Sequence, residues 1–168
     1  MERFRELSWE MKKIFSEAIK TGDWDTTLMF LEAGINPNGS NYCGWTPLHY
    51  AVNCDHPKMV RLLLDAGSGP NVKDQYVNTS LFYLSSDNST MVKILLSAGA
   101  DPNIFNSWGE TSLYRYVTTH KYLKIVEILL LAGIDPNIKN FWGKTSLDYA
   151  KQNGNVREVH LLLGYGAK

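Results

Sequence analysis

The chain has 168 residues, balances 17 Lys and Arg against 17 Asp and Glu, and contains two cysteines, Cys43 and Cys54. This length predicts a single domain with a core of its own. Zero net charge provides no electrostatic attraction to nucleic acid or to an anionic membrane, and two cysteines are too few for a disulfide framework. We therefore expect no nucleic-acid or membrane partner, and reduced thiols in a cytoplasmic setting, or in a host cytosol for a secreted effector.

The N-terminal segment predicts a helix and no targeting signal. Residues 1–15 carry charges throughout and lack the apolar stretch of a signal peptide. No apolar run in the chain approaches the roughly 18 residues of a membrane span. Phe4, Leu7, Met11 and Phe15 fall at helical spacing, so the first helix is expected to begin near residue 2 or 3. Its extension is either a longer cap over the core or a docking arm for a partner.

Residues 46–67 carry the signals of two short helices. Thr46 suits the N-cap, and Pro47 suits the first helical position. Apolar residues then recur at helical spacing on both sides of a polar break. Gly67 is expected to end the second helix in a left-handed conformation. The segment therefore predicts a helix-turn-helix unit.

The same signals recur with a period near 33 residues. The glycine that ends the second helix stands at Gly34, Gly67, Gly99 and Gly133. The threonine that starts the first helix stands at Thr46, Thr79, Thr111 and Thr145. A Pro-Asn pair follows each of those glycines in step. Three markers with one common spacing indicate a solenoid of stacked repeats.

Helix, turn, helix and hairpin at this period, with Thr-Pro-Leu-His at residues 46–49, resemble the ankyrin repeat family. The resemblance implies an all-α solenoid of helix-turn-helix units joined by β-hairpin-like loops. It also implies one domain over residues 1–168, with five repeats of which the first and last are caps. The expected repeats are residues 9–37, 38–70, 71–102, 103–136 and 137–168.

Two departures from the family pattern predict local weaknesses. The motif histidine is present only as His49, and Phe82, Tyr114 and Asp148 replace it in the later repeats. The hydrogen bond that the family makes from that imidazole is therefore expected to be absent there. Val77 occupies the position of a hairpin glycine. Because a β-branched residue tolerates a left-handed backbone poorly, a distorted second hairpin is predicted.

The resemblance further implies that the hairpin tips contact a partner protein. These positions are usually polar in the family, but here they are rich in aromatic residues. They are Tyr42, Cys43, Trp45, Gln75, Tyr76, Asn78, Ser107, Trp108, Glu110, Phe141, Trp142 and Lys144. Exposed apolar rows usually mark interaction sites, and Trp and Tyr are enriched in binding hot spots. We predict that these residues bind a partner; the alternative is that each ring packs on the neighbouring hairpin.

No motif of catalysis or metal binding stands out. The sequence has no phosphate-binding glycine loop, nucleophile elbow or His-Glu-x-x-His, and Cys54, Asp55 and His56 lack the ligand spacing of a zinc site. The sequence therefore predicts a monomeric, non-catalytic module without cofactor or metal. We expect it to recognise another protein through hairpin tips and inner helix face, as an inhibitor, an immunity-type protein or an effector-like adaptor. A self-assembling structural repeat protein is the alternative, and an enzyme is a third.

Overall fold

The computed structural model describes residues 9–168, which form nine α-helices and one 3₁₀ helix. In chain order they are α1 (Trp9–Thr21), α2 (Trp24–Glu32), α3 (Pro47–Asn53), α4 (Pro57–Asp65), the 3₁₀ helix (Ser80–Tyr83), α5 (Ser89–Ser97), α6 (Ser112–Val117), α7 (Leu123–Leu131), α8 (Ser146–Gln152) and α9 (Val156–Gly164). This part of the chain has no β-strand, which confirms the all-α prediction. The expected helix start near residue 2 or 3 lies outside the described residues.

The helices pack in two rows. The inner row contains α1, α3, the 3₁₀ helix, α6 and α8, each packed on the next, and the outer row continues from α4 through α5 and α7 to α9. Aliphatic side chains fill the space between the rows, and Leu48, Leu63, Leu95, Leu113 and Leu129 are fully buried. Each repeat therefore covers its apolar faces with its neighbours, as a solenoid must.

The repeated threonines begin the inner helices, as predicted. The residues with extended backbone at the N-cap are Thr46, Thr79, Thr111 and Thr145. Pro47 takes the first position of α3. Gly67 follows α4 with a φ of 92°, a left-handed conformation that glycine adopts without a clash from a Cβ.

The inner helix of the third repeat is reduced to the four residues of the 3₁₀ helix. The buried hydroxyl of Tyr116, in the next repeat, donates to the carbonyl of Leu81 at 2.7 Å and accepts from the amide of Leu84 at 3.0 Å. It thereby satisfies backbone groups that a short helix leaves without partners. Burial raises the pKa of the Tyr116 hydroxyl, so the group stays protonated and keeps its donor.

The prediction of a distorted second hairpin is wrong. The amide of Asp74 donates to the carbonyl of Asn78 at 2.9 Å, and the amide of Val77 donates to the carbonyl of Asp74 at 2.9 Å. The equivalent two bonds close the hairpin that contains Gly44. Val77 adopts a φ of 64°, close to the 80° of Gly44. The valine therefore adopts the strained left-handed conformation, and the hairpin keeps its shape.

The predicted loss of the histidine's hydrogen bonds is only partly right. His49 Nδ1 accepts from the amide of Thr46 at 3.1 Å, and its Nε2 faces the carbonyl of Asn78 at 3.4 Å. Burial lowers the pKa of His49, which favours the neutral ring that makes both contacts. In the last repeat, the carboxylate of Asp148 accepts from the amide of Thr145 at 2.9 Å and so replaces the first of these bonds.

In the fourth repeat, Tyr114 makes the bond that corresponds to the contact between His49 Nε2 and the carbonyl of Asn78. Its hydroxyl donates to the carbonyl of Lys144, which in hairpin residues 140–144 occupies the position that Asn78 holds two repeats earlier. The hydroxyl also accepts from the amide of Asn140 at 3.1 Å. The side chain of Phe82 has no polar atom, so the third repeat lacks both of these side-chain bonds.

Candidate partner-binding surface

Four hairpins form one edge of the solenoid: residues 41–45, 74–78, 106–110 and 140–144, here numbered hairpins 1 to 4. Each begins with an Asn or Asp whose side-chain oxygen accepts from two backbone amides of the same hairpin. These residues are Asn41, Asp74, Asn106 and Asn140. The side-chain oxygen thus provides an acceptor for backbone amides that the turn leaves without a backbone partner. These bonds give each tip a defined shape.

Backbone hydrogen bonds also join each hairpin to the next. The donor and acceptor pairs are Gln75 N to Cys43 O at 3.0 Å, Ser107 N to Tyr76 O at 2.9 Å, and Phe141 N to Trp108 O at 3.1 Å. Because these three bonds join all four tips in succession, the side chains at the tips lie at a fixed spacing along the edge. The hairpins form a continuous surface instead of four separate loops.

Five of the predicted contact residues form an exposed aromatic ridge along this edge. They are Tyr42, Tyr76, Trp108, Phe141 and Trp142, and their exposed fractions range from 41% for Trp108 to 96% for Tyr42. Two of the rings, Tyr76 and Trp108, stack with centroids 5.7 Å apart. The ridge is therefore both open to solvent and partly packed against itself.

Phe141 also packs on the neighbouring hairpin. A Cβ placed on Gly109 would lie 2.8 Å from the ring of Phe141, so this ring occupies the space above the glycine. The φ of 76° at Gly109 adds a second reason for glycine at this position. The sequence left open the alternative that the rings pack on neighbouring hairpins. Phe141 and Trp108 do so, and both nevertheless remain exposed to solvent.

Two of the predicted contact residues face the solenoid. Trp45 is half-buried, and its ring lies 4.6 Å from that of Tyr83 and 5.2 Å from that of Tyr50, measured between centroids. The side chain of Asn78 is buried and donates to the Tyr83 hydroxyl at 3.0 Å. Trp45 and Asn78 therefore contribute mainly to packing between repeats.

The other predicted residues surround the ridge. Gln75, Ser107 and Lys144 are exposed, whereas Cys43 and Glu110 are half-buried. Cys43 is a free thiol. The surface thus combines aromatic rings with one accessible cation and one partly accessible carboxylate.

A set of hydrogen bonds that was not predicted from the sequence links the hairpins to the inner helices. The first residue of a hairpin bonds to a tyrosine hydroxyl nine positions later in three of the four hairpins. The pairs are Asn41 with Tyr50 at 2.8 Å, Asp74 with Tyr83, and Asn140 with Tyr149 at 3.1 Å. In hairpin 3 the partner of Asn106 would be residue 115, which is arginine. The regular spacing of these pairs in the sequence was the signal that could have revealed both the array and its gap.

A pocket of about 410 Å³ lies on the inner face at this gap. We call it the inner-face pocket. Its lining includes Tyr83, Asn106, Trp108, Glu110, Arg115 and Tyr149. Trp108 belongs to the pocket and to the aromatic ridge, so the two features are continuous.

Within residues 9–168, no group of three or more His, Cys, Asp or Glu side chains is arranged to hold a metal ion. None of the helices in that range combines the length and apolarity needed to cross a membrane.

Comparison with known proteins identifies the repeat. A family model described as ankyrin repeats (3 copies) matches residues 15–106, more than half of the chain, and another described as ankyrin repeats (many copies) matches residues 95–150. The chain is 37% identical over 65 residues to Ankyrin repeat-containing protein P1E11.10 of Schizosaccharomyces pombe, a match that covers 39% of this chain and 31% of that protein. It is 41% identical over 59 residues to Ankyrin repeat, SAM and basic leucine zipper domain-containing protein 1 of Mus musculus, which covers 35% of this chain and 12% of that protein. These matches therefore span less than a third of either relative.

Proposed function

Because the chain belongs to the ankyrin repeat family, whose repeats form protein-protein interaction modules, we propose that it is a non-catalytic module that binds a partner protein through the aromatic ridge and the inner helix face. The observation that carries this proposal is the exposure of five aromatic side chains on hairpins that are joined by backbone hydrogen bonds. Contiguous exposed apolar surface usually marks an interaction site, and Trp and Tyr are enriched among hot-spot residues.

The rigidity of the ridge favours tight binding. Ordering mobile side chains at an interface costs roughly 0.5–1.5 kcal/mol for each one. The stack of Tyr76 on Trp108 and the packing of Phe141 over Gly109 hold three rings in place before any partner arrives. A partner that covers the ridge therefore gains apolar burial with a small loss of side-chain entropy.

The charges around the ridge favour orientation of the partner over non-specific attraction. Lys144 is exposed at hairpin 4, and Glu110 is half-buried at hairpin 3. One charge of each sign on adjacent hairpins gives a partner a preferred direction along the ridge, because a reversed partner would place like charges together. We expect a protein surface with apolar anchors and complementary charges.

A module of this kind acts by covering a site on its partner or by joining two partners. Its role is then that of an inhibitor, an immunity-type protein or an effector-like adaptor. Two free, half-buried thiols at Cys43 and Cys54 accord with a reducing compartment such as a cytosol.

The test is a pull-down from a lysate of the source organism with two variants run beside the wild type. The double variant Tyr42→Ala with Trp142→Ala removes two ridge rings and should weaken binding of the recovered partner at least about tenfold. Trp24→Ala removes an exposed tryptophan of the outer helix α2 and should leave binding unchanged. Equal binding by the double variant and the wild type would refute the proposed surface.

Self-association through the ridge is the other outcome to test. Light scattering of the purified protein at micromolar concentration should give the monomer mass of 19.0 kDa. An oligomer that dissociates in the double variant would instead assign the ridge to contacts between copies of this chain.

A further inference from the structure

We propose that the inner-face pocket receives a tyrosine side chain of the partner protein. This inference rests on the proposed function, because it specifies a residue that the bound protein would insert beside the aromatic ridge.

The neighbouring repeats show what fits this position. Tyr50, Tyr83 and Tyr149 each place a hydroxyl on the first residue of their own hairpin, whereas repeat four has the exposed Arg115 at the equivalent place. The pocket lies between Tyr83 and Tyr149, at the one gap in this array. A tyrosine from outside the chain would complete the series.

The pocket contains a side-chain amide donor that has no acceptor among the described residues. Asn106 is 6% exposed, and its side-chain oxygen accepts from the amides of Trp108 at 2.9 Å and Glu110 at 3.0 Å. Its side-chain nitrogen donates to no acceptor within residues 9–168. In hairpin 4 the same nitrogen of Asn140 donates to the hydroxyl of Tyr149 at 3.1 Å. A tyrosine hydroxyl in the pocket would therefore satisfy Asn106 as Tyr149 satisfies Asn140.

The remaining lining suits a phenol ring. Trp108, held by its stack on Tyr76, provides an aromatic wall. The carboxylate of Glu110 is an acceptor for the hydroxyl proton, and the exposed Arg115 in the lining supplies a cation for the ring face.

Other side chains fit this set of groups less well. A lysine would pair with Glu110, but it offers no acceptor to the nitrogen of Asn106 and brings a like charge near Arg115. A leucine would contact the aromatic walls and leave the side-chain nitrogen of Asn106 without an acceptor. A phenylalanine shares the ring but lacks the hydroxyl. Tyrosine alone among these meets the donor, the acceptor and the walls together.

The test is an NMR titration of the full chain with the blocked peptides Gly-Gly-X-Gly-Gly, in which X is Tyr, Phe, Lys or Leu. The Tyr peptide should shift the side-chain amide signals of Asn106 and the indole signal of Trp108. The Phe peptide should bind about three- to tenfold more weakly, the effect of one hydrogen bond. No response of Asn106 to the Tyr peptide at about 10 mM, or equal binding of the Lys peptide, would overturn the proposal.

Two variants separate the pocket from the rest of the surface. Arg115→Tyr places the chain's own ring in the gap, so it should abolish the response to the Tyr peptide and raise Tm by about 2–4 °C. Arg61→Tyr makes the same exchange at an exposed position of the outer helix α4 and should bind the peptide like the wild type. Undiminished binding by Arg115→Tyr would contradict the assignment.

The two proposals fail in different ways. The double variant Tyr42→Ala with Trp142→Ala leaves the pocket lining intact, so it should bind the Tyr peptide normally even where it loses the partner. A failed peptide titration with a successful pull-down would reject only the pocket, and the reverse result would reject only the ridge.

Discussion

The hydroxyl of Tyr114 donates a hydrogen bond to the backbone carbonyl of Lys144, the position that Asn78 presents to Nε2 of His49 two repeats earlier. A phenol and an imidazole thus make equivalent bonds between adjacent repeats. The family histidine has been replaced here without loss of that connection.

Tyr114→Phe should lower the free energy of unfolding by about 1–3 kcal/mol, because the carbonyls of Ile138 and Lys144 lose a donor and the amide of Asn140 loses one of its acceptors. Urea denaturation followed by circular dichroism measures this change. Tyr42→Phe is the matched control, since Tyr42 is 96% exposed, and should stay within about 0.5 kcal/mol of the wild type. Equal effects of the two variants would show that the Tyr114 hydroxyl contributes nothing to stability.

Acid should destabilise the protein through His49. Burial lowers the pKa of this imidazole in the folded state, so the unfolded chain binds the proton more readily. The stabilising contribution of neutral His49 is therefore present above the unfolded pKa of about 6.5 and is lost as the pH falls below it. The NMR titration midpoint of His49 should lie below 6.5, and the free energy of unfolding should decrease between about pH 7.5 and 5.5.

The variant His49→Asp provides the control for that titration. It copies the cap that Asp148 makes with Thr145, in which hydrogen bonds from Thr145 hold the pKa of the carboxyl below its ordinary value. It should therefore lose less stability over the same pH interval than the wild type. A midpoint for His49 at or above 6.5 would contradict the prediction.

Val77→Gly should stabilise the protein by about 0.5–1 kcal/mol. The φ of 64° places a β-branched residue in the left-handed region, where a side chain costs roughly 1–2 kcal/mol. Relief of this strain exceeds the extra conformational entropy that glycine loses on folding. Gly143→Val is the reverse experiment, because a Cβ at Gly143 meets no atom within 4 Å and only the backbone term remains. It should destabilise by about 1–2 kcal/mol in urea denaturation. A stabilising Gly143→Val would refute the argument.

The tryptophans of hairpins 1 and 4 should behave differently on truncation. Trp45→Ala removes a half-buried ring that packs on Tyr50 and Tyr83, and it should cost about 2–4 kcal/mol. Trp142 is 62% exposed, so Trp142→Ala should change the free energy of unfolding by less than about 0.5 kcal/mol. Thermal denaturation of both variants compares them directly, and similar losses would mean that Trp142 is structural.

The repeat architecture could be predicted from the sequence because its signals are local. Thr46 and Pro47 start a helix and Gly67 ends one through the conformations of those residues alone. Their recurrence fixed the number and order of the helices. The same markers led to the hairpin edge as the candidate surface.

The tertiary structure decided which tip residues face solvent and which pack. Trp45, the last residue of hairpin 1, contacts a ring from the next repeat, whereas Trp142, the third residue of hairpin 4, remains exposed. The packing of Trp45 depends on Tyr83, a residue 38 positions beyond it in the chain. Burial of a side chain is set by what its neighbours in space provide, and no local signal records it.

The same reason applies to the inner-face pocket. The sequence contains Asn106 and Arg115, and it determines that a hairpin and a helix hold them. Only the stacking of repeats places Tyr83 and Tyr149 on either side and leaves the side-chain nitrogen of Asn106 in the pocket without an acceptor among the described residues. Local conformational preference thus determined the solenoid, and contacts between residues about one repeat apart determined the shape of its candidate surface.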